Sequence, residues 1–364
     1  PEQLHALRRT LKEANKACDE ISTIAFEQQT FTRFKLHHSC YHDIRSRMGL
    51  SAQIVIRAIA KVVDSYKTDK EIKHVFKPTG AFAYDARILT YHRWEQTVSI
   101  WTVAGRLTIP YVMGTIQKEI FKYQKGESDL CMVKGKFYLN AACDIPEEKV
   151  MEIFDMIGVD LGIKQLATTS EEKYYTGEKI EHKRQWYAGR RAALQKVGTK
   201  SAKRRLKKLS GKERKFKKDT NHIISKEIVA DAKRTHCGIA MEDLKGIRKG
   251  KGKKVRKKQR ATFSGWSFYE LRQFITYKAQ AAGVPIVFVN PRYTSQCCSN
   301  CWHIEKANRK SQSEFECRKC GYTAHADFNA AVIIQILGLC QWSYGGEDEL
   351  TRLQPQATAF QAVS

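Results

Sequence analysis

The sequence is notable first for what is missing. It has no apolar run of roughly 18 residues or more and no signal-peptide pattern, which argues against a membrane span and against export. Its eleven cysteines have no disulfide-like arrangement, and seven (Cys18, Cys40, Cys131, Cys143, Cys237, Cys297, Cys340) are simply scattered, as in a reducing compartment. The histidines (His37, His38, His222, His236 and His303 among them) lack paired ligand spacing, so none is assigned to a metal. Acid is in short supply, with 38 Asp and Glu against 64 Lys and Arg, a net charge of +26 and a pI near 9.6. A field of that sign and size attracts polyanions, and nucleic acid is the commonest such partner. Basic residues are spread over most of the 364-residue chain instead of lining one amphipathic helix, so a membrane surface fits less well. The expected protein is intracellular and cytoplasmic. Because the chain opens on Pro1 and not Met, a short N-terminal piece is expected to be missing.

What is present divides into an α-rich start, a β-rich middle and an alternating second half, enough for two or three domains. Three helices are expected over 2–26, 33–47 and 51–68, from apolar residues recurring at three and four positions, such as Leu4, Leu7, Leu11 and Ala14. From 83 to 145 the period falls to two. Hairpins turning at Ala104-Gly105 and Lys134-Gly135 suggest a small β-barrel. A buried strand over 157–162 should pair with antiparallel neighbours at 165–169 and 173–176. A long basic helix is expected over 182–218, a further helix capped by Thr220, a strand over 238–242, a helix over 266–282 closed by Gly283, and a strand over 284–289. Residues 245–260 hold ten Lys or Arg and three glycines, the composition of a phosphate-facing loop. Trp94, Trp101 and Trp266 read as core residues.

Two sets of residues carry chemistry. Cys298-x-x-Cys301 and Cys317-x-x-Cys320 form two thiol knuckles whose spacing lets four thiolates close on one tetrahedral Zn²⁺. Four thiolates leave no open position, so this zinc is structural. The second set is three misplaced acids: Asp160 inside an apolar strand, Glu242 at the end of another, and Asp327 opening an Ala-rich helix. Buried carboxylates need a partner or a cation. Any one of them alone reads as an ordinary ion-paired residue. Converging at one sheet edge in a very basic chain, they instead supply the hard oxygen ligands that suit Mg²⁺ or Mn²⁺, and two such ions promote phosphodiester hydrolysis. Asp243 points to the opposite face of its strand and is the lesser candidate.

Gly158-Val159-Asp160-Leu161-Gly162, Met241-Glu242-Asp243-Leu244 and His325-Ala326-Asp327-Phe328-Asn329-Ala330-Ala331 resemble the three RuvC motifs of TnpB proteins, transposon-encoded RNA-guided nucleases related to type V CRISPR effectors. Tyr293-Thr294-Ser295-Gln296, Asn308-Arg309-Lys310-Ser311 and Cys317-x-x-Cys320-Gly321 stand in the same order, and the resemblance covers about residues 155–335. It departs from the pattern at Cys297, a fifth thiol where the family more often has a small polar residue; using it in place of Cys298 would give a three-residue spacing. The chain also starts after the family's first wedge strand.

The resemblance implies an α+β multidomain protein. A helical recognition-like domain would span 1–82 and a wedge-like β-barrel 83–152. An RNase H-like (RuvC) α/β domain would follow over 153–293, including the basic loop 245–262, with an inserted zinc ribbon over 294–322. A RuvC-like helix (323–340) and a flexible tail (341–364) would complete it. Asp160, Glu242 and Asp327 would be catalytic and bind Mg²⁺ or Mn²⁺. A guide RNA from the transposon end would lie in a basic channel, and target double-stranded DNA would be read by base pairing next to a short motif. Arg190, Arg191, Arg204, Arg205, Lys253, Lys254 and Arg309 are the nucleic-acid-contact candidates, Arg309 being equally readable as a structural arginine. A prokaryotic, nucleoid-associated protein is implied. The competing readings are a nuclease-dead RNA-guided repressor, a transposase that joins ends by its own catalysis, and a compact type V CRISPR effector.

Overall fold

The computed structural model describes residues 2–162, 164–244 and 268–344. They fall into two units, Pro1–Ile145 and Pro146–Ser364. In the first, α1 (Glu2–Glu27), α2 (Arg33–Met48) and α3 (Ala52–Tyr66) pack together. Leu7, Leu11, Ala14, Cys18 and Ile21 form the inner stripe of α1, against Ile54, Val55, Ala58 and Val62 of α3. Each large aliphatic so buried contributes about 1.5–3 kcal/mol. Ser51 caps α3 by accepting the Ile54 N–H, and Gly49 ends α2 in the left-handed region.

The β-rich stretch makes two three-stranded antiparallel sheets where a small barrel was expected. One is β1 (Phe82–Tyr84), β5 (Gln124–Val133) and β6 (Lys136–Cys143); the other is β2 (Leu89–His92), β3 (Thr97–Thr102) and β4 (Gly105–Pro110). Among the described residues β1 pairs with β5 alone and β2 with β3 alone, so the ladder is interrupted between Tyr84 and Leu89. The β5–β6 turn has φ of 51° at Lys134 and 81° at Gly135, the two positive values of a tight primed turn. A short helix, α4 (Thr115–Phe121), precedes β5. Trp101 packs against the core, but Trp94 is 100% exposed in the β2–β3 connection, which corrects the core assignment. Trp266 lies outside the described residues.

The second unit is built on a five-stranded mixed sheet in the order β11-β10-β7-β8-β9. β7 (Asp155–Asp160), β8 (Gln165–Thr169) and β9 (Tyr174–Thr176) are an antiparallel meander, while β10 (Cys237–Glu242) runs parallel to β7, and β11 (Ile286–Val289) parallel to β10. The basic region is three helices and not one: α5 (Glu178–Val197), α6 (Lys200–Leu209) and α7 (Lys212–Thr235), broken at Gly198-Thr199 and Ser210-Gly211. α7 runs straight through Thr220, which is no cap. Its hydroxyl donates to the Phe216 carbonyl one turn back, so a helix interior satisfies it. α8 (Phe268–Ala281) and α7 cover one sheet face, on Ile157, Val159, Ile239 and Met241. α9 (Ala326–Tyr344) covers the other, with Ile334 on Met156, Ala240, Val287 and Val289. α9 runs past the expected end at 340. The remainder of the expected tail and the basic loop 245–262 lie outside the described residues.

Candidate active site and cysteine cluster

Asp160 and Glu242 end neighbouring parallel strands. Val159 stands opposite Met241, so one further residue in each chain places both carboxylates at the same sheet edge. Strand alternation puts residues 156, 158 and 160 of β7 on the face that α9 covers, with 240 and 242 of β10. The helix lies extremely close. A Cβ on Gly158 would stand 1.9 Å from the Ala331 carbonyl oxygen, and one on Gly338 would stand 2.3 Å from the Ala240 Cβ. Gln335 donates to Asp155 at 2.9 Å, so α9 runs antiparallel to β7: Ala331 over Gly158, Gln335 toward Asp155. One helical turn before Ala331 is Asp327; two strand residues after Gly158 is Asp160. The two glycines and the Ala-rich face therefore deliver the start of α9 to the carboxylate edge. Asp327 is 7% exposed and sits in the first turn, where the helix dipole favours negative charge.

The three acids feel one another. Burial first, and then the Glu242 and Asp327 charges, push the Asp160 carboxyl up to about 8, against the opposing pull of Arg309 and the Leu161 N–H. Arg309 donates to Asp327 Oδ1 at 2.9 Å, and the Thr294 hydroxyl donates to Glu242 Oε1 at 2.5 Å. Asp243 does not join this set: Arg272 donates to it at 2.9 Å, while stacking over Phe288.

Among the described residues, Cys298, Cys301, Cys317 and Cys320 are the group whose ligand atoms all lie within 4.8 Å of one another. Cys298 and Cys320 sulfurs are 3.8 Å apart and those of Cys301 and Cys317 3.5 Å. Zn–S bonds of about 2.3 Å in a tetrahedron put sulfurs about 3.8 Å apart, so the thiols fit zinc. The Tyr322 N–H helps push the Cys320 thiol down to about 6. Cys297 is outside the cluster, its sulfur 3.7 Å from the Trp302 carbonyl oxygen, so the even knuckle spacing through Cys298 is the one the fold uses.

Two buried asparagines, unassigned from sequence, hold this ribbon. Asn308 donates to the Gln296 and His303 carbonyls and accepts the Arg318 N–H, tying one knuckle to the other. Asn329, on α9, donates to the Cys297 carbonyl and accepts the Ser299 N–H, tying the first knuckle to the helix that carries Asp327. For Asn329 the available signal was a lone amide beside Ala330 and Ala331; Asn308, between Ala307 and Arg309, offered no such contrast.

The basic candidates are dispersed. Arg190 on α5 is exposed and lies over Trp186 at 5.7 Å, whereas Arg191 is paired with Glu213 of α7 at 2.7 Å. Arg204 and Arg205 are exposed on α6. Lys253 and Lys254 lie outside the described residues, and Arg309 faces Asp327. No described helix is long and apolar enough to cross a membrane.

Residues 268–334 match the family model described as "Cas12f1-like, TNB domain", and residues 141–247 match that described as "Probable transposase". The CRISPR-associated endodeoxyribonuclease Cas12f1 of Sulfoacidibacillus thermotolerans is 35% identical over 222 residues, covering 56% of this chain and 50% of its own. The putative RNA-guided DNA endonuclease InsQ of Escherichia coli (strain K12) is 32% identical, covering 54% and 52%. TnpB-like protein MJ0751 of Methanocaldococcus jannaschii is 34% identical, covering 34% and 43%. The chain thus spans about half the length of these relatives or less. A solved Cas12f1-sgRNA-target DNA complex contains a chain of similar fold, with a TM-score of 0.55, 18% identity and coverage of 89% and 81%. The matched segments are thus similar in sequence to TnpB-like, InsQ and Cas12f proteins, and the fold is similar to that of a solved Cas12f1 chain.

Proposed function

We propose that this protein is an RNA-guided, Mg²⁺-dependent DNA endonuclease encoded by an insertion-sequence transposon, cutting double-stranded target DNA beside a short motif. One observation carries the reading: three acids from separate segments lie near one sheet edge, where burial and the charges of Glu242 and Asp327 push Asp160 to about 8. Such a carboxylate set, unfavourable by itself, is relieved by divalent cations, and its all-oxygen donors suit Mg²⁺ or Mn²⁺. Ions held by Asp160, Glu242 and Asp327 would supply a hydroxide near neutral pH and neutralise the leaving oxygen of the phosphodiester. Asp160 and Glu242 form the floor of the site on adjacent strands, and α9 brings Asp327 over them. Arg309 restrains Asp327 and sets a positive charge where a phosphate would enter.

The strand order and the helices on both faces support an RNase H-like (RuvC) domain beginning near residue 153, with residues 294–322 as a zinc-bound insert. The four thiols would hold Zn²⁺ as a structural ion. Residues 1–82 and 83–152 would read the short DNA motif, and the exposed cations of α5 and α6 would follow guide-RNA phosphates. The names of the relatives, RNA-guided DNA endonuclease InsQ and endodeoxyribonuclease Cas12f1, support the substrate and the guide. A nuclease-dead repressor is disfavoured because all three acids are in place.

The test is purification from cells, sequencing of bound RNA, and cleavage of matched DNA. A defined transposon-end transcript and Mg²⁺-dependent cutting that Asp160→Ala abolishes are expected. Random RNA, or equal inactivity of both proteins, would refute the proposal. A repeat array beside the gene would assign it to a CRISPR effector instead.

A further inference from the structure

We infer that Thr294 is a positioning residue for Glu242, holding that carboxylate in the orientation from which it binds a divalent cation. The inference rests on the proposed role of Asp160, Glu242 and Asp327 as the cation site. Thr294 belongs to the segment that leaves β11 for the first thiol knuckle and is 3% exposed. Its hydroxyl lies 2.5 Å from Glu242 Oε1 and 3.1 Å from the Pro291 carbonyl oxygen. A hydroxyl has a single proton to donate, and the nearer acceptor is the anionic one, so the proton goes to Glu242. The backbone around Thr294 is fixed in turn: the N–H groups of Gln296 and Cys297 both donate to the Tyr293 carbonyl at 2.9 Å, and the Cys297 carbonyl accepts from Asn329 at 2.8 Å.

Glu242 ends its strand beside two other acids, with three side-chain torsions and charge repulsion both favouring a swing away from them. The buried, β-branched Thr294 opposes that swing with a donor whose position the ribbon's first turn sets. The residue thereby links the cysteine ribbon to the acid site, through a side chain that belongs to neither ligand set. Outer-shell partners of metal ligands typically contribute 10–100-fold to metal affinity.

The experiment is a Mn²⁺ titration followed by electron paramagnetic resonance on the full-length, zinc-loaded protein, comparing wild type, Thr294→Val, Thr294→Ser and Glu242→Gln. Thr294→Val keeps the shape and loses the donor, and is expected to weaken Mn²⁺ binding by about 10–100-fold. Thr294→Ser, which restores the hydroxyl, is expected within about threefold of wild type, taking well under a tenfold loss as retained binding. Zinc content should stay at the wild-type value in both. In cleavage, the Mg²⁺ needed for half-maximal rate should rise in Thr294→Val while the rate at saturating Mg²⁺ changes little. Unchanged Mn²⁺ affinity in Thr294→Val alongside weakened binding in Glu242→Gln would overturn this inference alone. Wild-type affinity in Glu242→Gln would overturn the cation site itself. Loss of zinc together with Mn²⁺ in Thr294→Val, or no recovery in Thr294→Ser, would make the residue part of the ribbon's fold and also overturn the assignment.

Discussion

Replacing Gly158 with alanine adds one methyl group at the closest approach of helix and sheet. The new Cβ would stand 1.9 Å from the Ala331 carbonyl oxygen and 2.5 Å from the Gln335 backbone nitrogen. Ordinary contact begins near 3.4 Å, so α9 must retreat by about 1.5 Å, the difference from 1.9 Å. Both obstructing atoms are backbone, so no rotamer change relieves the clash. Overpacking costs about 1–3 kcal/mol where side chains can adjust, and this site belongs at the upper end or above. For a unit of this size, 3 kcal/mol lowers Tm by roughly 6–12 °C. The chemical consequence is larger than the loss of stability. Asp327 rides on the displaced turn, and a misplacement of about 1 Å in a reacting constellation can cost about 10²-fold in rate. Single-turnover cleavage by the purified guide complex, with thermal unfolding beside it, measures both. Gly189→Ala is the control: it lies in α5 with nothing within 4 Å of the added Cβ, and should stabilise by about 0.5–1 kcal/mol without changing cleavage. Full activity and wild-type Tm in Gly158→Ala would refute the account of how α9 is seated.

With its carboxyl raised to about 8, Asp160 must take up a proton on folding at neutral pH. Asp160→Asn removes that cost, so the metal-free variant should melt higher than wild type at neutral pH, the gap closing as pH falls toward the usual carboxylate range; cleavage should fall by about 10³-fold or more, since several kcal/mol of charge stabilisation by a bound cation is lost. Mg²⁺ should raise the Tm of wild type and leave the variant's nearly unchanged, by calorimetry. Cys317→Ser should release zinc and unfold the ribbon, because a structural zinc site of this kind contributes about 10–16 kcal/mol at neutral pH; Cys297→Ser, whose sulfur is outside the cluster, should retain zinc by elemental analysis. Trp94→Ala should shift stability by less than about 0.5 kcal/mol in denaturant titration, since the indole is fully exposed.

Two departures from expectation, at Trp94 and Thr220, share a cause. Tryptophan is usually well buried, which predicts a core position for Trp94, yet it stands in a hairpin connection where Gln96 takes a φ of 51° and the neighbouring strands face the helices without it. Threonine suits caps, which predicts a helix start at Thr220, but Ile224 and Ile228 continue an inner face below Phe216, and burying that face outweighs a local start signal. The barrel failed for a different reason. Alternation identifies strands, but which strand edges meet is decided by pairing over long separations, as between Phe82 and Leu130. Thr294, Asn308 and Asn329 went unassigned because a polar side chain does not reveal its partner, and Thr294 finds Glu242 from 52 positions away.

Some features were determined by the sequence alone. The cysteine knuckles are local: two residues between cysteines suffice to let both thiols face one metal ion, so Cys298, Cys301, Cys317 and Cys320 could be named before any fold was known. The helix and strand types followed from hydrophobic period, and the expectation of a polyanionic partner from net charge. The anomaly of each acid was also visible, since an isolated carboxylate in an apolar segment demands an explanation. Their meeting was decided only in three dimensions. It depends on the parallel register of β7 and β10, on α9 running antiparallel across them, and on two glycines small enough to let that helix touch the strands. Charge repulsion works against such a meeting at every step, and only the burial of the two sheet faces is strong enough to hold it.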